Sequence, residues 1–396
     1  MVTPLTTGEI YMGYSDNTTR ILLSQEAAQH LATNINRRRF LQLGGGAAAL
    51  AALSACGSSA PAKTAPKEFD QNLSVLSWAD YHDPALLKAW GNISLTIISS
   101  NEEAIQELTK GGASSDYDIV VLTGLYIPQA AKAGMLLELD KSRLPNISNI
   151  DPLNINQPWD LGNKYSVCKD WGTTGWIYDK QAISTEINTW ADFIKVAQTE
   201  ASGKTYVMDA PNWLSGIYFW ANGIDWTTEK TEDLDAYAAF MKDFTPHVKA
   251  FNSYGSADVV DGTVALAQVW NGMARLALQG VVDAGGDPSR YAWGIGAPVT
   301  DIWMDNWCIL KGAKNVDAAY DFINFILHPV NSVNDLKYHG FNTGIKGVEE
   351  LVQDIPLKEM VFFTDAELAT MKSGAVNSSF DRLGQIYNDA KSAVAS

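Results

Sequence analysis

Two carboxylates and two indoles alternate within seven residues of this 396-residue chain. The segment reads Asp-Ile-Trp-Met-Asp-Asn-Trp, and in an extended strand the two-residue period would place Asp301, Trp303, Asp305 and Trp307 on one face. A carboxylate pairs with an ammonium ion, while an indole face attracts the same cation and covers methylene groups. The segment therefore predicts a site for an organic cation. By itself it fits a half-buried surface strand better, and the rest of the chain decides between the two interpretations.

The length and charge of the chain narrow its class. A chain of 396 residues exceeds what one hydrophobic core usually supports, so we expect two domains. Lys and Arg number 29 against 45 Asp and Glu, and the resulting net charge of -16 argues against a nucleic-acid partner and permits a cationic ligand. The sequence contains no Walker loop, GxGxxG, CxxC, GxSxG or HExxH pattern, and its five histidines show no metal-ligand spacing. We therefore expect no cofactor and no metal.

The N-terminal segment resembles an export signal. Arg37 and Arg38 are followed by Phe40 and Leu41, in the order of a twin-arginine signal, and then by an apolar run of about fifteen residues. That run is shorter than the roughly 20 residues that span a bilayer. Leu-Ser-Ala before Cys56 resembles a lipobox, in which Cys56 would be acylated. We expect a leader and signal at 1–55 and a lipid-anchored tether at 56–67; the alternative is an interior alanine-rich helix.

Strands and helices alternate from residue 73 onward. This rhythm predicts a mostly parallel sheet flanked by helices. The first series comprises strands at 73–78, 94–99 and 117–122 and helices at 84–90, 101–110 and 126–133. After a loop at 140–163, the second series comprises strands at 165–178, 205–208, 264–270 and 292–297 and helices at 189–199, 233–244 and 273–280. A further helix is predicted at 316–327 from its apolar period.

A set of short segments, taken in order, resembles the periplasmic polyamine-binding proteins, the spermidine and putrescine receptors of ABC transporters. The matching segments are Ser-Trp-Ala-Asp-Tyr at 77–81, Tyr-Asp-Ile-Val-Val at 117–121 followed by Thr123, Asp-Pro at 151–152, the strand at 165–178, Asn-Thr-Trp-Ala-Asp at 188–192, Ala-Phe-Asn-Ser at 250–253, Val-Trp-Asn-Gly at 269–272, Trp-Met-Asp at 303–305 and Phe-Ile-Asn-Phe-Ile at 322–326. The resemblance covers the chain from about residue 70 to its end.

The resemblance implies an α/β fold of the type II periplasmic binding class. Two lobes, each a mostly parallel sheet flanked by helices, would be joined by hinge strands and close on the ligand. Lobe one would hold residues 68–172 and 306–349, and lobe two 173–305 and 350–396. Open α/β sheets bind ligands beyond the carboxyl ends of their strands, where we also expect the site here.

The resemblance also implies eight ligand-binding residues. The aromatic ones would sandwich an alkyl chain: Trp78, Tyr81, Trp270 and Trp303. The polar ones would bind amines: Asp80, Thr123, Asp209 and Asp305. For two of these acids a structural role is also possible, because Asp80 and Asp209 precede helices and could cap them. Asp305 lies inside an apolar strand, where an unpaired carboxylate would be costly, so a purely structural role suits it least.

Four positions depart from the family pattern. Asn212 and Met273 stand where family members carry acids, and Leu125 and Phe341 stand where they carry tyrosines. The resemblance therefore indicates a polyamine receptor without fixing the polyamine. With Asn212 and Met273 at these positions, the chain has fewer carboxylates than a triamine could use. This favours a ligand with two amines, or a triamine held at two nitrogens.

The resemblance further implies a monomeric receptor outside the cytoplasm that delivers its ligand to the permease and ATPase subunits of an importer. Two other classes remain open: a receptor for ferric iron or another organic cation on the same fold, and a secreted hydrolase using Asp209 and Asp305 as paired carboxylates. The resemblance places Cys168 and Cys308 on the paired hinge strands. They could form a disulfide in an oxidising compartment or remain buried thiols.

The export signal yields a first testable prediction. Replacing both Arg37 and Arg38 with Lys should leave the precursor in the cytoplasm, because the twin-arginine route requires the arginine pair. Fractionation of cells that express the wild type and the double variant measures this. Unchanged export of the variant would contradict the assignment.

Overall fold

The computed structural model describes residues 72–98, 100–110, 116–353 and 355–394. The predicted signal at 1–55, the tether at 56–67 and Cys56 lie outside these ranges and stay predictions. Within the described ranges, no helix is long and apolar enough to cross a membrane.

The strands of the described residues run in chain order as β1 (Asn72–Trp78), β2 (Asn92–Ile98), β3 (Ile119–Thr123), β4 (Ser166–Gly172), β5 (Thr174–Asp179), β6 (Thr205–Val207), β7 (Val248–Phe251), β8 (Leu266–Trp270), β9 (Tyr291–Ile295), β10 (Thr300–Asp301), β11 (Trp303–Ile309) and β12 (Met371–Lys372). The helices are α1 (Pro84–Trp90), α2 (Asn101–Lys110), α3 (Ile127–Lys132), α4 (Trp190–Gln198), α5 (Pro211–Ala221), α6 (Thr231–Phe244), α7 (Ser256–Val260), α8 (Asn271–Asp283), α9 (Val316–Ile326), α10 (Pro329–His339), α11 (Val348–Leu351), α12 (Asp365–Thr370) and α13 (Phe380–Val394).

Ten of these strands form two five-stranded sheets of matching design, and β10 pairs separately with β12. The first has the order β2-β1-β3-β11-β4 and the second β7-β6-β8-β5-β9. In each sheet four strands are parallel and one is antiparallel, namely β11 in the first and β5 in the second. This arrangement confirms the predicted two-lobe α/β fold with a mostly parallel sheet in each lobe.

Both faces of each sheet are covered. In β3, Ile119 and Val121 pack into one hydrophobic cluster while Val120 and Leu122 pack into another on the opposite face. The uninterrupted apolar run of this strand is typical of a parallel strand buried on both sides. In the second sheet Trp176 and its neighbour Ile177 divide between two clusters in the same way.

The chain crosses between the lobes at two adjacent places, and Asp301 joins them. It passes from β4 to β5 through Thr173 and returns from β10 to β11 through Ile302. Thr173 Oγ1 donates to the backbone oxygen of Asp301 at 2.7 Å, and the backbone N–H of Thr174 donates to its carboxylate at 2.8 Å. Trp213 Nε1 donates to the other carboxylate oxygen at 2.6 Å. Burial raises the pKa of Asp301 to about 6, although these hydrogen bonds oppose the shift.

A close approach beside this hinge requires glycine. A Cβ atom on Gly172 would lie 2.3 Å from the side-chain oxygen of Asn271 and 2.6 Å from the Trp303 ring. The first sheet and the start of α8 can therefore approach closely only because Gly172 has no side chain.

The predicted alternation of residues 301–307 holds within β11 and fails only at Asp301. β11 is continuous and pairs with β3 without a register shift, so Trp303, Asp305 and Trp307 share one face, and the extra residue opposite Asp305 and Asn306 is Lys169 of β4. Asp301 is separated from this strand by the break at Ile302. Asp301 belongs to the hinge, while Trp307 is fully buried and packs edge-on against Phe322 in the core of lobe one.

The last part of the chain contacts both lobes. Val352 and Val361 join the main core around the first sheet, whereas Met360 joins a cluster of the second. α13 then packs in lobe two through Leu383, Ile386 and Ala390. The lobe bounds given above stay a prediction. Trp303 and Asp305 fall in predicted lobe two, but β11 pairs within the first sheet, so both are described below with lobe one. The chain between α11 and α13 contacts both lobes.

Cys168 and Cys308 are both free and buried. Cys168 pairs with Asn306 and Cys308 with Ser166, so the cysteines are offset by two residues along the ladder. Diagonal neighbours of this kind lie roughly 7–8 Å apart, beyond the usual Cα separation in disulfides. The structure therefore favours the thiols over the bridge.

Thiol counting tests this arrangement. The mature protein, denatured without reductant, should expose two reactive thiols per chain from Cys168 and Cys308. The same count after reduction is the control, and a count near zero before reduction would show that the bridge forms.

Candidate ligand-binding site

A cleft between the two lobes encloses about 800 Å³, part of it open to solvent. Seven of the eight predicted binding residues line it: Trp78, Tyr81, Thr123, Asp209, Trp270, Trp303 and Asp305.

Strand ends place these side chains together. Trp78 ends β1, Thr123 ends β3 and Trp270 ends β8, while Asp209 follows β6 by two residues. The expectation that Asp305 also sits at a carboxyl end is wrong, because it is the third residue of β11. β11 runs antiparallel to β3, and Asp305 pairs with Thr123. The beginning of β11 therefore lies at the same edge of the sheet as the end of β3.

Asp305 forms the floor of the cleft and is only 6% exposed. One carboxylate oxygen accepts a hydrogen bond from Thr123 Oγ1 at 2.7 Å, and the other lies 2.8 Å from the Tyr81 hydroxyl. Burial and the nearby charge of Asp170 raise the pKa of Asp305 to about 7, against the effect of the two hydrogen bonds. This carboxyl group is the most desolvated acid of the cleft lining.

Asn101 orients the Thr123 hydroxyl. Its side-chain N–H donates to Thr123 Oγ1 at 2.9 Å, and its side-chain oxygen accepts from the Thr123 backbone N–H at 3.0 Å. Since Thr123 Oγ1 accepts from Asn101, its own hydrogen is directed at Asp305. Asn101 therefore fixes the Thr123 hydroxyl as a hydrogen-bond donor to Asp305, the acid that faces the cleft.

A buried charge cluster lies behind the floor. Lys169 Nζ is 2.8 Å from Asp170 and 3.4 Å from Asp335, and it lies 3.9 Å from the centre of the Tyr81 ring. Burial lowers the pKa of Lys169, but the two acids outweigh it and raise the pKa above its ordinary value. Lys169 is therefore a permanent cation directly beneath an aromatic wall of the cleft.

The walls of the cleft are aromatic on both sides. Trp303 packs edge-on against Phe341 with ring centres 4.9 Å apart in lobe one. Across the cleft, Trp270 packs edge-on against Trp213 at 6.2 Å and Tyr254 at 6.1 Å. Indole and phenol faces at these positions can cover an alkyl chain and attract its charged ends.

Asp209 differs from Asp305 because it already has a cation. Lys391 Nζ of α13 lies 2.7 Å from its carboxylate, and the Tyr387 hydroxyl donates to the same oxygen. The group is exposed, so this ion pair is weak. Asp209 does not cap α5, whose cap residue is Ala210 and makes no side-chain capping bond.

Asp80 lies at the rim rather than in the lining. It is exposed with a positive φ of 51°, and its charge contributes to the raised pKa values of Tyr254 and Tyr338. The alternative role as a helix cap belongs instead to Asp83, whose carboxylate accepts from the Ala85 N–H at 2.8 Å. Ligand binding by Asp80 stays a prediction.

Sequence reasoning missed Glu102 and Tyr254 as lining residues. Glu102 brings a third carboxylate to the cleft and accepts a hydrogen bond from the Tyr126 hydroxyl. It sits in the first turn of α2, directly after β2, so the rule that ligands gather beyond strand ends could have found it. Asn212 also lines the cleft and places an amide where the family pattern has an acid.

The described residues include no group of three or more His, Cys, Asp or Glu side chains arranged to hold a metal ion. Acids, hydroxyls and aromatic rings make up the binding chemistry of this cleft.

The sequence profile of the bacterial extracellular solute-binding proteins matches residues 87–359. The chain belongs to this family. Proteins of the family are solute-binding receptors rather than members of an enzyme class, and the inter-lobe cleft is the place where such a receptor can enclose a solute.

Among curated proteins, the chain is 29% identical to the spermidine/putrescine-binding periplasmic protein of Escherichia coli, over 85% of this chain and 95% of that protein. It is 28% identical to the putrescine/agmatine-binding protein of Pseudomonas aeruginosa, over 70% and 80% of the two chains. Its fold is similar to a spermidine/putrescine ABC transporter substrate-binding protein of Streptococcus pneumoniae, with a TM-score of 0.67, 24% identity, and 82% and 100% coverage. A lipoprotein of Treponema pallidum has a TM-score of 0.70 at 21% identity, with 81% and 99% coverage.

Proposed function

We propose that this protein is the extracytoplasmic receptor of an ABC importer and captures a small polyamine of the putrescine and spermidine class. One observation carries the proposal: a buried acid, Asp305, forms the floor of an otherwise aromatic cleft and has no cation bonded to it among the described residues. An alkylammonium ion supplies the missing charge and the apolar body that such walls cover.

Each part of the ligand has a matching part of the cleft. One ammonium group pairs with Asp305 and is held by a charge-assisted hydrogen bond. The methylene chain lies between Trp303 on lobe one and Trp270 on lobe two. The second ammonium group reaches Glu102 or Asp209, the two exposed acids of the lining. Relatives named for spermidine, putrescine and agmatine binding support this class.

The composition of the cleft favours two anchored amines. Asn212 offers an amide instead of an acid, and Asp209 is engaged by Lys391. A diamine, or a triamine held at two nitrogens, therefore fits better than a ligand that requires three carboxylates.

The setting follows from the same proposal. The protein faces the periplasm, is anchored through acylated Cys56 and the 56–67 tether, acts as a monomer, and passes its ligand to permease and ATPase subunits. It is not an enzyme. The paired-carboxylate hydrolase is disfavoured because proteins of this family are solute-binding receptors.

Replacement of the floor acid tests the proposal. Asp305→Asn should weaken putrescine and spermidine binding by about tens to thousands of fold, since a buried charged hydrogen bond lost by removing one partner costs about 2–5 kcal/mol. Asp209→Asn, the matched control in the same cleft, should weaken binding by less than about tenfold because its carboxylate is exposed and already paired. Isothermal titration calorimetry measures both variants against the wild type.

One calorimetric result would contradict the assignment of Asp305 as the anchor. If Asp305→Asn binds both amines within about 1 kcal/mol of the wild type, the floor acid is not the anchor. Native mass spectrometry of the purified protein provides an independent reading, because a retained diamine or polyamine identifies the ligand class by its mass.

A further inference from the structure

The Tyr81 hydroxyl lies between two carboxyl groups. Its oxygen is 2.5 Å from Asp170 and 2.8 Å from Asp305. Burial and both acids raise the pKa of Tyr81 well above its ordinary value, so the phenol keeps its hydrogen, and it has only one to donate. If both acids were ionised, one of these two short contacts would join two oxygens with no hydrogen between them. A second hydrogen on one of the acids removes this conflict.

The neighbours of the two acids show which of them carries it. Asp170 accepts from the Lys169 ammonium at 2.8 Å through the oxygen that does not face Tyr81, which favours its negative form. Asp305 has no ion-pair partner within the described ranges and accepts only from the neutral Thr123 hydroxyl. The extra hydrogen therefore belongs on Asp305 and is donated to the Tyr81 oxygen. The pKa of about 7 that burial and Asp170 give to Asp305 agrees with this placement.

The surrounding charges reinforce this assignment. Lys169 Nζ also lies 3.4 Å from Asp335. This single cation is thus already shared by two acids, Asp170 and Asp335, without Asp305. Two histidines also face this cluster. His339 accepts from the Phe341 N–H at 3.0 Å through Nδ1 and places Nε2 3.5 Å from both Asp170 and Asp335, and burial lowers the pKa of His82 to about 3. On the cleft side, Glu102 is a further acid, and the positive charge of Lys391 is taken by Asp209.

We propose that Asp170, which does not line the cleft, is a positioning residue for amine capture: through the Tyr81 hydroxyl it keeps a proton on Asp305, and an arriving ammonium ion expels that proton to solvent. This inference rests on the proposed function. The exchange balances, because a carboxylic acid and an ammonium ion become a carboxylate–ammonium pair and one proton leaves to water. An alkylamine has a pKa of about 10.4, so the ligand keeps its own protons.

The direction of the pH dependence follows from this exchange. Only ionised Asp305 pairs with the ligand, so affinity is highest above the pKa of about 7 and falls as the pH drops through it. Between pH 8 and pH 6, binding should weaken about tenfold. At pH 7, capture should release about half a proton per ligand bound.

Two measurements on the wild type test this. Calorimetry with putrescine at pH 6, 7 and 8, in buffers of different ionisation enthalpy, should show a binding heat that depends on the buffer and so counts the protons released. Carbon-13 NMR of aspartate carboxyl groups in ligand-free protein should show one group that titrates near pH 7 and is missing in Asp305→Asn.

Two variants should each move the pH midpoint to lower pH. Asp170→Asn removes the negative charge beside Asp305 and leaves Lys169, so the midpoint should shift to lower pH and the loss of affinity at pH 6 should shrink. Tyr81→Phe removes the oxygen that accepts the hydrogen of Asp305 and the link to Asp170, so the midpoint should also shift to lower pH. Asp321→Asn is the matched control, an acid outside the cleft that accepts from the Trp90 indole N–H at 2.8 Å, and it should keep the wild-type midpoint.

The outcomes separate this inference from the proposed function. Putrescine binding whose heat is independent of buffer, or the absence of a carboxyl group titrating near pH 7, would overturn the proton exchange while leaving the receptor intact. A change of affinity in both variants without any shift of the midpoint would reduce Asp170 to a structural role. Failure to bind any amine at any pH would contradict the proposed function, and the NMR titration would still decide where the proton lies.

Discussion

The cleft depends on the cost of burying more acids than cations. Asp170, Asp335 and Asp305 are all nearly inaccessible, and Lys169 is the one lysine or arginine that the described residues place in contact with this group. A buried carboxylate without a counter-ion costs several kcal/mol, so the group favours either a proton or an external cation at Asp305. An ammonium ligand satisfies this requirement better than a proton, because its alkyl chain also removes the indole faces from water. The charge imbalance thus selects for cations, and the aromatic walls select for alkyl cations.

The antiparallel strand β11 connects this chemistry to the motion expected of a two-lobe receptor. The same segment carries the hinge acid Asp301 and, four residues later, the floor acid Asp305. Asp301 holds Trp213 of lobe two by a 2.6 Å hydrogen bond, and Trp213 packs against the wall residue Trp270. A ligand that pulls on Asp305 and Trp270 therefore acts on side chains tied directly to the crossing strands. Trp213 also belongs to the hydrophobic cluster around the first sheet, so this contact connects the two lobes.

Short sequence patterns predicted those helix ends that depend on neighbouring residues in the chain. The bounds of α1 and α2 were predicted to the residue, because a proline or asparagine starts each helix and a glycine follows it. α10 and α13 were missed, although Pro329 and the apolar period of residues 383–390 marked them. The break at Ile302 and the extra residue Lys169 in β4 had no local mark, because the irregularity appears only in the pairing of β4 with β11. The contact of Asp209 with Lys391 joins residues 182 apart, which spacing alone cannot reveal.

The contact between Asp209 and Lys391 also indicates which cleft acid can contribute more to ligand affinity. Lys391 ends in a primary ammonium on a four-carbon stem, so Asp209 and Tyr387 already hold an alkylammonium group of the kind the ligand offers. Lys391 and Tyr387 both bind the same oxygen of Asp209, and an exposed carboxylate that is already paired adds little to binding a further ammonium group. Asp305 has no such internal competitor and is desolvated in advance. In the proposed site, the floor acid is therefore expected to provide more of the affinity than Asp209.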